Sequence, residues 1–395
     1  MTRISRRGAL QAGAAFAAAG LVPTRFAIGQ TAKVRVGLML PYSGTYAALG
    51  EAITSGLKMA VNARGGKLGG REVEYILLDD ESNPGKGPEN ASKLIAGDKV
   101  DFLVGTVHSG VAMGMAKVAV DTGAMLIIPN AGVGAATGPM CAPNIFRTSF
   151  SNWQPAYPMG KVAWDRGMKN VVTISWKYGA GEEQLGGFEE GFTQQGGKIV
   201  KRIMLPFPNE EFQANLTEIA SLKPDGVFAF FAGSGALKFV KDYAAAGLKS
   251  IPLMGTGFLT DGVLAAQGAA AEGVLTTLHY ADALDTPENK KFRAEFKAFS
   301  GKEADVYAVQ GYDGGQLLAI GMDAVKGDTA AGSRAALIAA MEAAEIKSPR
   351  GAFTLSKAHN PVQDIYLRQV KNGQEIVLGV AHKALADPAK GCKSA

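Results

Sequence analysis

Residues 34–61 read VRVGLMLPYSGTYAALGEAITSGLKMAV, and this stretch decides the fold. Val34 to Leu40 is an apolar run, as expected of a strand buried on both faces of a parallel sheet. Pro41-Tyr42-Ser43-Gly44 turns the chain. Apolar side chains then recur at Leu49, Ile53, Leu57 and Val61, a four-residue spacing that marks one helix face. A buried strand, a turn and an amphipathic helix are one step of an α/β protein.

The step repeats downstream. Strand-like runs are Val73–Leu78, Val100–Val104, Met125–Ile128, Val171–Trp176, Ile199–Leu205, Gly226–Phe231 and Pro252–Met254. Helix-like stretches separate them, among them Ser109–Asp121, Gln154–Arg166, Glu182–Gln195, Glu211–Leu222 and Ala236–Ala246. The reading is a doubly wound α/β architecture with right-handed crossovers. One such sheet seldom needs 395 residues, so two similar halves are expected. Seams fall at Arg147–Asn152, Thr276–Ala281 and Ser348–Ser356, which makes each half discontinuous. Beyond the last seam, Ile365–Val370 and Ile376–Val380 joined through Asn372-Gly373 read as a hairpin.

Apolar residues make up 47% and charged residues 19%, which excludes a mainly disordered chain. The net charge of +5 would favour nucleic acid if it were spread over the fold. It is not: removing Arg3, Arg6, Arg7 and Arg25, from a stretch without acids, leaves +1. No nucleic-acid partner is expected. Those arginines precede and follow an Ala-rich apolar segment, Gly8 to Val22, and Ala27-Ile28-Gly29 offers small residues for cleavage. Residues 1–29 thus resemble a twin-arginine signal peptide, cut before Gln30, and the mature protein is expected in the periplasm. Gly8–Val22 is short for a membrane span. Export also permits a disulfide between Cys141 and Cys392, with two unpaired thiols as the alternative.

Several chemistries find no residues to carry them. Four histidines (His108, His279, His359, His382) are scattered and no zinc spacing occurs, so no metal or cofactor is expected. There is no P-loop, and Gly132-Val133-Gly134-Ala135-Ala136-Thr137 misses the dinucleotide fingerprint at its last glycine. Ser55-Gly56-Leu57-Lys58 fits S-x-x-K without its partner motifs, inside an amphipathic helix. Nothing assembles a nucleophile, a base and an orienting group, so no enzyme is expected.

Binding chemistry is better supplied. Parallel sheets hold ligands beyond the C-terminal strand ends, where following helices present free amides. In the first half these ends carry Pro41-Tyr42-Ser43-Gly44, Gly105 to Gly110 with His108 and Ser109, and Pro129-Asn130-Ala131-Gly132. Ser109 can cap the helix it begins and also face a ligand. A hydroxyl, backbone donors and a positive helix end suit an anionic headgroup. The second half offers Trp176-Lys177-Tyr178-Gly179, Ala232-Gly233-Ser234 and Thr256-Gly257-Phe258. Tyr312, in Gln310-Gly311-Tyr312-Asp313, is placed on a helix bordering the cleft. Rings from both halves would sandwich a flat ligand body.

An ordered set of short matches spans the mature chain: Val36-Gly37 through Pro41-Tyr42-Ser43-Gly44 with Gly50, Leu77-Leu78-Asp79-Asp80, Val104-Gly105 with Ser109, Ile128-Pro129, Phe146-Arg147-Thr148 and Gly273-Val274-Leu275. On these the chain resembles the type I periplasmic solute-binding proteins of ABC transporters, in the branched-chain amino-acid (Leu/Ile/Val) subgroup. The resemblance implies two Rossmann-like lobes, a three-segment hinge and a cleft between them. Lobe 1 would comprise 30–148 plus 277–352, lobe 2 149–276 plus 353–385, and a tail 386–395. It implies a monomer that closes on a small ligand and docks on membrane permease subunits.

Within the resemblance, Ser109 matches the serine that binds a ligand carboxylate, and Asn130 to Gly132 match the donor segment beside it. Gly132 stands where the family has threonine. Amino-acid binders hold the α-ammonium with an acid from lobe 2, whereas Gly255-Thr256-Gly257-Phe258 has none. A buried ammonium without a counter-charge is costly. The expected ligand is therefore an aromatic or related organic carboxylate, as in family members that import benzoate-type compounds. Asp261 or Asp313 could replace the missing acid, in which case an amino-acid binder results. A secreted α/β hydrolase or amidase and a sensory receptor ectodomain are the alternatives from other classes.

Overall fold

A computed structural model describes residues 32–393. The signal peptide read at 1–29 and the last two residues of the tail lie outside the described residues. The first sheet contains β1 (Val34–Leu40), β2 (Lys67–Leu68), β3 (Arg71–Asp79), β4 (Phe102–Val104), β5 (Met125–Ile128) and β6 (Ile145–Arg147), in the order β2-β3-β1-β4-β5-β6. All its pairings are parallel except the β2–β3 hairpin. β1 is the strand of the opening stretch. Helices cover both of its faces, which is why it reads as an apolar run rather than an alternation.

The second sheet contains β7 (Asn170–Trp176), β8 (Lys198–Leu205), β9 (Gly226–Phe230), β10 (Leu253–Thr256), β11 (Leu275–Leu278), β12 (Thr354–Leu355), β13 (Pro361–Lys371) and β14 (Gln374–Leu385). Its order is β12-β13-β11-β10-β9-β7-β8, with β14 on β13. β7 to β11 run parallel, and β13 runs antiparallel to its neighbours. β13 and β14 are the expected hairpin, turned at Asn372 and Gly373, both with positive φ (53° and 71°). That is the backbone an Asn-Gly turn supplies at least cost.

The chain crosses between the two lobes three times. It passes from β6 to β7, returns after β11 to the helices Pro287–Ser300, Val306–Ala324 and Arg334–Glu342, and crosses back before β12. β11 keeps Thr277 and Leu278 in the second sheet, paired with Leu367 and Tyr366. The first and third crossings are bonded to each other. Arg147 Nε donates to Asn360 Oδ1 at 2.6 Å, Arg350 donates to Thr148 O at 2.6 Å and Ser149 O at 3.0 Å, and Gln363 Nε2 donates to Ser149 O at 2.7 Å. These groups are buried, so each bond also satisfies a carbonyl that water cannot reach.

Cys141 and Cys392 are joined as a disulfide, their Cα atoms 5.5 Å apart, which ties the tail to the first lobe. Among the described residues no helix is long and apolar enough to cross a membrane.

Candidate ligand-binding site

The strand ends of both sheets face one another across a narrow cavity. One part of its wall is polar. Ser109 is the first residue of the helix Ser109–Thr122, and the cap of that helix is His108, whose Nδ1 accepts from Gly110 N at 3.1 Å. The expectation that Ser109 itself caps the helix is corrected. The imidazole takes that task, and burial holds it neutral by lowering its pKa to about 4. The Ser109 hydroxyl is left facing the cavity, where Asn152 Nδ2 approaches it at 3.3 Å.

Asn130 and Gly132 follow β5. Asn130 Nδ2 donates to Gln310 Oε1 at 2.6 Å, and Gln310 Nε2 lies 3.3 Å from His279 Nε2. Gly132 O accepts from Asn152 N at 2.7 Å. A Cβ at Gly132 would fall 2.4 Å from Asn152 Oδ1 and 2.6 Å from Phe150 Cε2. Phe150 and Asn152 therefore fill the space that a threonine side chain at this position would need.

The rest of the wall is aromatic. Phe258 packs 4.8 Å from Phe150, 6.3 Å from Phe230 and 6.1 Å from Tyr307, ring centroid to centroid. Tyr46 Oη and Tyr178 Oη meet across the cleft at 2.9 Å. Leu49, Val107, Ala180 and Ala232 complete the lining, in which no side chain is charged.

Of the residues read from sequence, Ser109, Asn130, Gly132, Tyr178 and Phe258 line this cavity. His108 stands just outside, stacked on Tyr178 at 4.7 Å. Ala131 is turned away, its N–H donating to Thr106 O at 2.9 Å. Trp176 is corrected to lobe core. It is fully buried, donates Nε1–H to Asn209 O at 2.7 Å and packs on Phe207 and Phe231. Tyr42 is bonded to Thr54 Oγ1 at 2.8 Å, and Tyr312 packs on Phe292 at 5.0 Å, both off the cavity wall. Gly233 lies against Thr45 O of the other lobe, and Ser234 Oγ donates to Glu210 Oε1 at 2.6 Å. Thr256 is buried at the end of β10 and does not line the cavity. Gly257 lies beneath the Arg368–Asp261 ion pair, where a Cβ would strike Arg368.

That ion pair disposes of one substitute acid. Asp261 receives Arg368 at 2.8 and 3.3 Å. Asp313, the other, accepts from Ser348 Oγ at 2.8 Å and faces Arg350 Nε at 3.3 Å; burial raises its pKa to about 6. Neither reaches the cavity. Glu183 is bonded to a lining residue, its carboxylate accepting from Gly134 N at 3.0 Å and Asn152 Nδ2 at 2.7 Å, and it does not itself line the cavity. Sequence reading missed Tyr46, Phe150, Asn152, Phe230 and Tyr307. Tyr46 and Phe230 adjoin strand-end turns already singled out, and Phe150 and Asn152 lie in the first seam. Only position near a crossing could have flagged them.

The sequence pattern of periplasmic binding proteins matches residues 33–375. The chain belongs to the periplasmic binding protein family. A Leu/Ile/Val-binding protein homolog of Brucella melitensis is 32% identical over 350 residues, covering 87% of this chain and 88% of its own. A solute-binding protein of an ABC transporter from R. palustris, solved in complex with benzoate, is 55% identical, with a TM-score of 0.89 over 92% of this chain and 100% of that one. Another, from Rhodopseudomonas palustris BisB5 in complex with 3,4-dihydroxybenzoic acid, is 33% identical, with a TM-score of 0.85 over 90% and 99%.

Proposed function

We propose that this periplasmic binding protein is the substrate-binding subunit of an ABC importer and that its ligand is a small aromatic carboxylate. One observation carries the reading: an uncharged cavity walled by Phe150, Phe230, Phe258 and Tyr307 presents the Ser109 hydroxyl and the Asn152 amide. The Ser109 hydroxyl, which the Asn152 amide orients at 3.3 Å, donates to a carboxylate, and the rings enclose an aromatic body. An ammonium would meet no counter-charge there. The benzoate and dihydroxybenzoate held by the two solved relatives support the same class.

In this reading the lobes are 30–148 plus 279–352 and 149–278 plus 353–385, the second boundary moved past the end of β11, the mature protein is periplasmic and monomeric, and it hands its ligand to membrane permease subunits without a chemical step. Closure of the lobes buries the ligand, and affinity is set by contacts made only when closed. The relationship to Leu/Ile/Val-binding homologs favours branched-chain amino acids as the second reading. A thermal-shift and calorimetric panel of benzoates, phenyl-keto acids and aliphatic amino acids separates them, because a ligand that binds only the folded state raises the melting temperature. Stabilisation by benzoates supports the proposal. Stabilisation by leucine with silence from every benzoate overturns it.

A further inference from the structure

The cavity holds one polar group that the proposed grip on a carboxylate leaves unused. Tyr307, on the helix Val306–Ala324, is fully buried and lines the cavity, and its hydroxyl meets no hydrogen-bond partner among the described residues. The other two tyrosines of the wall differ from it, because the hydroxyls of Tyr46 and Tyr178 are hydrogen-bonded to each other at 2.9 Å. Burial is the main reason that the Tyr307 hydroxyl keeps its proton, reinforced by Asp261, Asp305 and Tyr178 nearby. It is thus a donor held in an apolar wall beside Phe258. A buried donor without an acceptor is costly, and a ligand that supplies the acceptor recovers that cost as affinity.

We infer that the ligand carries a ring hydroxyl besides its carboxylate, and that this hydroxyl pairs with the hydroxyl of Tyr307, so that Tyr307 sets a preference for hydroxylated over plain benzoates. The inference rests on the aromatic-carboxylate reading above and adds the substituent. A ring hydroxyl suits the position because it accepts from Tyr307 and adds little volume. Plain benzoate leaves the tyrosine donor unmatched. Sites built to hydrogen-bond a substrate hydroxyl discriminate strongly against the analogue that lacks it.

Calorimetric titration of the full mature protein and its Tyr307→Phe variant with benzoate and with 2-, 3- and 4-hydroxybenzoate tests this. The wild-type protein is expected to bind at least one hydroxybenzoate about tenfold or more tighter than benzoate, the scale of one hydrogen bond to a buried group. In Tyr307→Phe that advantage disappears, and the ratio of hydroxybenzoate to benzoate affinity falls to about one. The wild-type panel stands without the variant, should Tyr307→Phe fold poorly. Hydroxybenzoates no tighter than benzoate, or an advantage that survives in the variant, overturn the inference and leave the aromatic-carboxylate reading intact. Equal weakening of benzoate and hydroxybenzoates by Tyr307→Phe also overturns it, since the tyrosine then meets the carboxylate. Silence from all four acids with binding of leucine overturns both.

Discussion

Ser109 and His108 divide one task between adjacent side chains. The histidine caps the helix, and the serine hydroxyl is thereby released toward the cavity. Ser109→Ala is expected to weaken binding of the carboxylate ligand by about 1–3 kcal/mol while leaving the melting temperature of the free protein nearly unchanged. Calorimetry and a thermal melt on the same sample check both halves. His108 supplies the pH dependence. Its folded pKa of about 4 lies below the ordinary 6.5, so the unfolded chain binds the proton more readily. The stability it contributes is complete above pH 6.5 and is lost as pH falls toward 4, by at most about 3 kcal/mol. Asp80 and Asp305, whose pKa values burial raises to about 6 and 7, act with the opposite sign. Urea melts of the wild type against His108→Asn isolate the histidine, because asparagine keeps a capping oxygen but does not titrate. The two curves are expected to diverge below pH 6.5. At this scale Ser109 was legible, since a hydroxyl at a strand end before a helix has a reason to be there. Trp176 and Tyr42 show the limit: an aromatic ring beside a turn satisfies core and cleft equally well, and only packing decides.

The elements were more legible than the residues. Strands covered on both faces must be apolar along their length, which is why β1, β5 and β9 could be read directly. β2 and β12, two residues each, could not, because pairs so short carry no periodicity. The contact between the helices Ala47–Asn62 and Val306–Ala324 was equally hidden. Its basis is a pair of glycines. A Cβ on Gly56 would lie 2.0 Å from Ala308 O, and one on Gly311 would lie 2.0 Å from Ile53 O. Each helix therefore presents bare backbone where the other passes, and residues from beyond the second crossing are held on the first lobe. Gly311→Ala gains helix propensity but forces the backbones apart, and overpacking outweighs the gain. The expected result is a loss of about 1–3 kcal/mol in a denaturant melt, with Gly56→Ala behaving alike. A neutral or stabilising Gly311→Ala would show that the helices can separate freely.

Across the whole molecule, several side-chain contacts bridge the two lobes over the cleft. His108 stacks on Tyr178, Tyr46 bonds Tyr178, and Thr45 abuts Gly233, each a first-lobe group against a second-lobe one. The strongest of these by chemistry is Glu183. From the helix Gly179–Thr193 it accepts from Gly134 N of the first lobe and from Asn152 Nδ2 at the first crossing. Burial raises its pKa, yet removing the carboxylate would leave Gly134 N and the Asn152 amide without their acceptor in the closed arrangement. Truncating it shifts the balance toward open forms, and a protein that must first close binds with an affinity reduced by the closed fraction. Glu183→Ala is therefore expected to weaken ligand binding by about 1–3 kcal/mol although the side chain does not line the cavity. The radius of gyration of the ligand-free variant should exceed that of the wild type in solution scattering, and saturating ligand should bring the two together. Equal radii with weakened binding would place the effect of Glu183 at Asn152 and the ligand itself, instead of at the opening of the lobes.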